Sequence, residues 1–215
     1  MTLSIEKYMV SEEAKSFLRS IKGKIGIIAV AGKYRTGKSF LLNRVILNKK
    51  NSGFGVGPTI NPCTKGLWVW REPIETEYNG EKISVLVVDS EGIGAFDEDV
   101  NHDTKIFLLA MLLCSNFIFN SMNTIDENAI NSLSLIINLS KELQIKQDFL
   151  GDCDPEEIQK YFPQFMWVVR DFSLRLIDTY GNPISSKQYL ESALQPQKGN
   201  SDAIEQKNRI RRMIK

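Results

Sequence analysis

The strongest constraint on this chain is an eight-residue loop, Gly-Lys-Tyr-Arg-Thr-Gly-Lys-Ser, at residues 32–39. It follows an apolar run typical of a buried strand, residues 25–31, and precedes a run typical of a helix, residues 40–47. The glycines let the backbone approach phosphate groups closely, and the N–H groups of the loop and of the new helix supply positive potential. The loop therefore predicts a nucleoside triphosphate site in an α/β fold.

Lys38 and Ser39 end the loop and are predicted to bind phosphate and Mg²⁺, respectively. The lysine ammonium reaches the outer phosphates, and the serine hydroxyl binds Mg²⁺. The alternative is a glycine-rich turn without a ligand, which the strand before it and the helix after it disfavour.

Runs typical of strands alternate with helical ones along the chain, which favours a mainly parallel sheet. The predicted strands are residues 25–31, 67–74, 83–89, 116–122 and 165–171. Asn79-Gly80 lies between the second and third and suits a tight turn, so these two strands should be antiparallel neighbours. We therefore expect a P-loop NTPase fold of the α/β class, with a mixed sheet, one antiparallel hairpin strand and helices on both faces.

Helical spacing of apolar residues predicts a helix at residues 126–147, and shorter helices are expected at residues 185–194 and 202–214. The apolar run at residues 106–113 is interpreted as a buried helix. Because 42% of the residues are apolar, the chain can bury one substantial core. We therefore expect residues 1–215 to form a single domain.

Composition excludes several classes of function. The 27 basic and 26 acidic residues nearly balance, so no global field would recruit nucleic acid or an anionic membrane. The three cysteines lack Cys-x-x-Cys spacing, which disfavours a disulfide framework and structural zinc and indicates a reducing cytoplasm. The apolar stretch at residues 106–119 is too short and too interrupted to span a bilayer, and we see no signal peptide.

A second nucleotide element follows the third predicted strand, where Asp89-Ser-Glu-Gly92 has a strand-end aspartate and a glycine three residues later. We expect Asp89 to hold Mg²⁺ through a water and the Gly92 N–H to meet the γ-phosphate. Thr64 lies between the two elements, and its hydroxyl would complete the Mg²⁺ shell. The alternative for the second element is a solvated turn.

The guanine-reading pattern Asn-Lys-x-Asp is absent from the sequence, but the fifth predicted strand ends in Arg170 and Asp171. A carboxylate there accepts hydrogen bonds from guanine N1–H and its 2-amino group, a pair of donors that adenine does not offer. We therefore assign base recognition to Asp171. The alternative is a surface ion pair between Arg170 and Asp171.

These motifs, together with Thr64-Lys-Gly-Leu-Trp68 and Phe119-Asn-Ser-Met122, resemble those of guanylate-binding proteins of the dynamin superfamily. The resemblance runs in order from about Glu13 to the end of the chain, and an Arg-Asp pair replaces Asn-Lys-x-Asp in few other GTPases. It implies a large GTPase domain that binds GTP, GDP and Mg²⁺ and dimerises through its nucleotide face in the GTP state. It also implies hydrolysis to GDP, and in some members onward to GMP.

The resemblance assigns catalytic roles to four positions. Arg35 matches the family's internal arginine finger and Glu91 matches a glutamate that organises water near the attacking water, while Lys38 and Thr64 keep the roles above. The expected nucleotide contacts are Gly32, Lys33, Tyr34, Arg35, Thr36, Gly37, Lys38, Ser39, Phe40, Thr64, Asp89, Gly92, Arg170 and Asp171. The expected Mg²⁺ residues are Ser39, Thr64 and Asp89.

The chain departs from the family in two places. Pro62 stands where relatives have a serine that positions the water, and proline has neither hydroxyl nor N–H. The sequence also stops before a further core strand and a base-closing loop, so we expect a shortened chain whose helical region and any lipid anchor lie elsewhere.

Three functions of different classes fit these observations. The first is a GTP hydrolase. The second is a nucleotide-gated interaction module with little turnover, which Pro62 favours. The third is a P-loop kinase or ATPase, disfavoured by Asp171 and by the absence of an arginine-rich lid.

The sole histidine, one cysteine and a group of basic residues show no sequence pattern that indicates a function. His102 and Cys63 show no partner, so we expect neither to be catalytic. The basic residues Lys207, Arg209, Arg211, Arg212 and Lys215 are typical of a solvated helix face, with contact to an acidic partner as the alternative.

Overall fold

A six-stranded mixed sheet forms the centre of the computed structural model, which describes residues 9–57, 64–94, 100–133, 163–199 and 201–214. The strands are β1 (Lys24–Ala31), β2 (Leu67–Val69), β3 (Ile74–Tyr78), β4 (Glu81–Ser90), β5 (Asn116–Met122) and β6 (Gln164–Arg170). Their order is β2-β4-β1-β5-β6, and β3 also pairs with β4. Strands β4, β1, β5 and β6 are parallel, whereas β2 and β3 run antiparallel to β4. The predicted α/β fold with a mainly parallel sheet is confirmed.

The predicted strand at residues 67–74 is wrong in one respect, because it is broken into β2 and β3 between Val69 and Ile74. Pro73 has no N–H to donate to β4, and the chain bulges there. The Trp70 N–H still donates to the Val87 carbonyl at 2.8 Å, so both pieces stay on the same neighbour. The turn after β3 has positive φ at Asn79 and Gly80, as predicted for a tight hairpin.

Alternating side chains of the sheet feed two apolar clusters on opposite faces. Ala29, Phe117 and Phe119 lie on one face with residues of the helices that follow β4, β5 and β6. Val30 and Ile118 lie on the other face with Leu42 from the helical turn after the P-loop. Helices therefore cover both faces, as predicted.

Most helices fall close to their predicted positions. They are α1 (Glu12–Ser20), α2 (Lys38–Leu41) continued by a π-turn (Leu42–Ile46), α3 (Val100–Leu113), α4 (Glu127–Ser132), α5 (Ser186–Ala193) and α6 (Asp202–Ile214). The sequence did not predict α1. The Asp126 carboxylate caps α4 by accepting from the Ala129 N–H at 2.8 Å. Most of the helix predicted at residues 126–147 lies outside the described residues.

The basic residues of α6 are not a wholly solvated face, which corrects the sequence interpretation. Arg211 is only 2% exposed and its guanidinium donates to Glu127 at the start of α4. The Lys207 ammonium lies 3.2 Å from the other oxygen of the same carboxylate, and Arg212 pairs with Glu205 on the surface. Lys207 and Arg211 therefore bind α6 to α4 within the chain. The side chains of Arg209 and Lys215 lie outside the described part.

In the described part of the chain, every helix is too short or too polar to cross a bilayer. Cys114 is a free, buried thiol, and burial raises its pKa to about 12. Such a thiol is a packing residue and not a nucleophile. Cys63 and Cys153 lie outside the described residues.

Candidate functional site

Four parallel strands end at the same edge of the sheet, and the loops that leave this edge carry the predicted site residues. The P-loop follows β1. Asp89 is the last residue but one of β4, and Glu91 lies just beyond that strand. Arg170 ends β6, and Asp171 comes directly after it. Ligands of open α/β sheets bind at the carboxyl ends of the strands. The topology therefore brings the sequence motifs to one edge.

The P-loop lies tightly against its neighbours at two glycines. A side chain on Gly32 would approach the Asn120 carbonyl oxygen to 2.1 Å, and one on Gly37 would approach the Arg170 guanidinium to 2.0 Å. Gly37 also has a φ of 75°, which favours glycine, and it immediately precedes α2. Gly32 is therefore required by its contact with the β5 backbone, and Gly37 by its φ, since the arginine side chain that it faces can shift.

Lys38 begins α2 as a buried cation. It is 6% exposed, and its ammonium donates to the Lys33 carbonyl at 3.1 Å. Burial lowers the pKa of this ammonium from 10.5 to about 8, while the charges of Asp89 and Glu91 act in the opposite direction. A phosphate group at this position would add further negative charge in favour of the ammonium.

The three residues predicted to hold Mg²⁺ are hydrogen-bonded to one another through Asp89. Its Oδ2 accepts from the Ser39 hydroxyl at 2.6 Å and from the Thr64 hydroxyl at 3.0 Å. Asp89 is fully buried, and its Oδ1 has no hydrogen-bond partner within the described ranges. Burial raises the pKa of the carboxyl, and the Ser39 hydroxyl, the Lys38 charge and the Thr64 hydroxyl oppose that shift.

This oxygen-only set fits Mg²⁺ by its chemistry. Each hydroxyl donates its single hydrogen to Asp89, which leaves its lone pairs available to a hard cation. A cluster of three or more His, Cys, Asp or Glu side chains suited to a metal is absent from the residues that the structure describes. A hydroxyl-based Mg²⁺ site, completed by phosphate oxygens and water, does not need one.

The P-loop and the loop after β4 are hydrogen-bonded to each other. The Tyr34 N–H donates to the Ile93 carbonyl at 3.0 Å, and the Ile93 N–H donates to the Gly32 carbonyl at 3.1 Å. A side chain on Gly92 would approach the Tyr34 Cα to 2.3 Å. Gly92 therefore permits this close approach, beside its predicted role toward the γ-phosphate.

Arg170 contacts the P-loop. Its contacts therefore do not support the alternative interpretation, a surface ion pair with Asp171. Its guanidinium donates to the carbonyls of Thr36 at 3.3 Å and Gly37 at 3.2 Å. It also lies 5.2 Å from the centre of the Phe40 ring, a cation–π distance. Asp171 is exposed with a φ of 54°, and it follows β6 directly at the end of the sheet where a base would lie.

The remaining P-loop side chains differ in exposure. Lys33 and Arg35 are exposed, and Arg35 has a left-handed φ of 59°. Thr36 is buried and its hydroxyl donates to the Lys33 carbonyl at 2.8 Å. Arg35 is thus presented to solvent at the nucleotide edge, while Thr36 stabilises the loop from inside.

Sequence reasoning missed two supporting residues. Asn120 is fully buried and its amide donates to the Thr36 carbonyl at 2.9 Å, so β5 also holds the P-loop. The Ser90 hydroxyl donates to the Val30 carbonyl at 2.6 Å and ties the end of β4 to β1. The signal available in the sequence was a polar residue within an apolar strand. Its role becomes clear only once the neighbouring element to which it donates is known.

The expectation that His102 lacks a partner is wrong. Its Nε2 lies 3.1 Å from Oε2 of Glu91, and the same oxygen accepts from the Gly66 N–H at 2.7 Å. The sequence separates these residues, and α3 brings the histidine back to the site. Pro62 and Cys63 lie outside the described residues.

Comparison with known proteins gives matches over nearly the whole chain. A family model described as "Guanylate-binding protein, N-terminal domain" matches residues 5–215. "Guanylate-binding protein 6" of Homo sapiens and of Pongo abelii are each 37% identical over 213 residues, 98% of this chain and 33% of the relative. "Guanylate-binding protein 3" of Mus musculus is 37% identical over 209 residues. The chain therefore spans about a third of the length of these curated relatives.

Proposed function

Because this chain belongs to the guanylate-binding protein family, we propose that it binds GTP and GDP with Mg²⁺ and hydrolyses GTP to GDP. The observation that carries the proposal is the convergence of the Ser39 and Thr64 hydroxyls on the buried Asp89 carboxylate. These hydrogen bonds connect the P-loop, the segment before β2 and the end of β4 at the place where a triphosphate and its cation would bind. Lys38 and the P-loop N–H groups would hold the phosphates, and bound Mg²⁺ would neutralise charge developing on them.

Preference for guanine is assigned to Asp171. Charge-assisted hydrogen bonds to N1–H and the 2-amino group contribute about 1.5 to 3 kcal/mol each. The preference over adenine is then about two to four orders of magnitude. Arg170 supports this role, since its contacts with Thr36 and Gly37 connect the base end of the site to the phosphate loop.

Hydrolysis is assigned to Arg35 and Glu91. Arg35 would neutralise transition-state charge in cis, an effect of about 10³ to 10⁵ in rate for arginines in this role. Its exposure at the nucleotide edge supports that assignment, because the side chain is available to move. Glu91 would organise water beside the γ-phosphate, and its Oε1 has no hydrogen-bond partner in the described part.

The wider proposals rest on the family. Residues 1–215 would form one G domain that dimerises through the nucleotide face in its GTP state. The protein would be cytoplasmic, would contact a membrane only through regions outside this sequence, and would not bind nucleic acid. Further hydrolysis to GMP is included as an outcome of the product assay.

A nucleotide-gated interaction module is the second candidate. Pro62 favours it, because proline has neither a hydroxyl nor an N–H with which to position a water near Thr64. Such a module would bind GTP and change its contacts without appreciable turnover.

A single-turnover experiment separates the candidates. Protein in excess over trace labelled GTP, with Mg²⁺, is followed for GDP formation, in parallel with ATP and with Lys38→Ala as the binding-deficient control. We expect GDP from GTP only, and none from the control. Bound GTP that stays intact would establish the gated module, and equal competition by ATP would favour a kinase or ATPase.

A further inference from the structure

His102 is the part of this site to which no role is assigned. It is the only histidine of the chain and lies in the first turn of α3, with 20% of its side chain exposed. Its Nε2 faces Oε2 of Glu91 at 3.1 Å. A carboxylate only accepts hydrogen bonds, so the imidazole Nε2 must carry the hydrogen in this contact.

Glu91 is bound from two directions through one oxygen. Its Oε2 receives both the His102 ring and the Gly66 N–H, while the Glu91 N–H donates back to the Gly66 carbonyl at 2.9 Å. Gly66 is two residues from Thr64, and so the carboxylate connects the loop before β2, the loop after β4 and α3. Only 4% of Glu91 is exposed.

The other oxygen of Glu91 is the one available for chemistry. Oε1 is buried without a hydrogen-bond partner in the described ranges, and buried carboxylate oxygens without a partner are costly unless water or ligand meets them. The charge of Glu91 also raises the pKa of the Lys38 ammonium, so Glu91 acts on a residue of the proposed phosphate site. Where Oε1 points depends on how firmly Oε2 is held.

We infer that His102 is a positioning residue for GTP hydrolysis that acts through Glu91. With the Gly66 N–H alone the carboxylate could rotate about a single hydrogen bond, and the imidazole as a second donor to the same oxygen restricts this rotation. The inference rests on the proposed function, because Glu91 matters to rate only if the site turns GTP over.

The support for His102 is rigid. Asp103, the next residue of α3, accepts from the Gly94 N–H at 2.6 Å, so the same helical turn contacts the loop after β4 twice. One turn further along α3, Phe107 is 1% exposed in the core. A functional side chain held from a packed helix is positioned more closely than one held from a loop.

The contact itself is tested by NMR of protein labelled with ¹⁵N-histidine, in which His102 gives the only imidazole signals. We expect a protonated Nε2 whose resonance shifts in Glu91→Gln. An Nε2 without a proton, or a signal unmoved by Glu91→Gln, would overturn the inference.

The role is tested by kinetics of His102→Ala and His102→Gln, with Leu112→Ala as the control because Leu112 is 53% exposed on the same helix. We expect His102→Ala to lower kcat about tenfold and to leave affinity for a non-hydrolysable GTP analogue within about twofold. The glutamine amide offers a donor at similar reach and should restore most of the rate. In a Glu91→Gln background, His102→Ala should add little further loss.

An unchanged kcat in His102→Ala, equal losses in the alanine and glutamine variants, or fully additive losses with Glu91→Gln would each contradict the inference. If the wild-type protein forms no GDP, the proposed function fails by itself. The NMR measurement needs no turnover and still decides whether His102 holds Glu91.

Discussion

Lys38 shows how a single residue of the site is kept ready for its ligand at a cost in stability. Its pKa is about 8 in the fold and 10.5 when exposed, so the unfolded chain binds more protons between these values. Stability therefore rises with pH across this window and is lowest below pH 8. We therefore expect the buried ammonium to lower the stability of the protein at neutral pH.

Comparison with Lys38→Met measures this cost. From pH 8 to pH 10.5, the free energy of unfolding of the wild type should rise by about 3 kcal/mol relative to that of Lys38→Met. Urea denaturation of both proteins at several pH values supplies the difference. Parallel pH profiles would mean that Lys38 is solvated in the free protein.

Asp171→Asn should change which base the site accepts. The amide still accepts from N1–H but donates where the 2-amino group requires an acceptor, and it can donate to the 2-oxo group of xanthine. We expect affinity for GTP to fall about 100-fold and affinity for xanthosine triphosphate to rise. Competition against a fluorescent nucleotide measures both, and an unchanged GTP preference would remove Asp171 as the base reader.

Arg35→Ala should slow hydrolysis far more than it weakens binding. An arginine that acts mainly in the transition state contributes little to the ground-state complex, so we expect at least about 10³-fold loss in rate with affinity nearly unchanged. Arg71→Ala, which removes an exposed arginine at the bulge between β2 and β3, is the matched control. Equal losses in rate and affinity would make Arg35 a plain phosphate ligand.

Between elements, the contact of the P-loop with the loop after β4 depends on Gly92. An added Cβ would meet the Tyr34 Cα at 2.3 Å, and we expect Gly92→Ala to break the hydrogen bonds from Tyr34 and Ile93. The free energy of unfolding should fall by about 2 kcal/mol. Gly26→Ala is the control, since its Cβ would make only ordinary contacts at 3.6 and 3.8 Å. Equal effects of the two changes in urea denaturation would disprove the close contact.

The attachment of α6 to α4 depends on Glu127. Removing this carboxylate leaves Arg211, 2% exposed, without its counter-charge, so Glu127→Ala should cost about 3 kcal/mol of unfolding free energy. Glu205→Ala breaks the exposed pair with Arg212 on the same helix and should cost under about 1 kcal/mol. Thermal and urea unfolding measure the loss of unfolding free energy in Glu127→Ala and in Glu205→Ala. Similar small losses would show that the Arg211 charge is solvated.

Local pattern was sufficient to predict most of the elements, although not α1, and was insufficient to predict their contacts. Apolar runs and turn chemistry identified β1, β4, β5 and the hairpin, because strands buried on both faces of a parallel sheet have nearly continuous apolar sequences. The break between β2 and β3 was missed although Pro73 was visible, since its effect depends on which neighbour needs the N–H. Asn120, His102 and the charges of α6 were misread or missed because their partners are distant in sequence.

At the scale of the whole molecule, the site is assembled from four strand ends. The loops after β1, β4 and β6 carry the proposed phosphate, cation and base contacts, and β5 supports the P-loop through Asn120. Arg35 is exposed at this edge. A second copy that covers the same edge would exclude water from Arg35 and hold it toward the phosphates, so hydrolysis should depend on association.

The most direct test of the account is the rate of GTP hydrolysis per protein molecule, measured with Mg²⁺ over a wide range of protein concentration with the products resolved by chromatography. We predict GDP as a product, no product from ATP, and a specific activity that rises with protein concentration and then levels off. GTP that remains intact at every concentration while it stays bound would contradict the account and leave a nucleotide-gated binding module in its place.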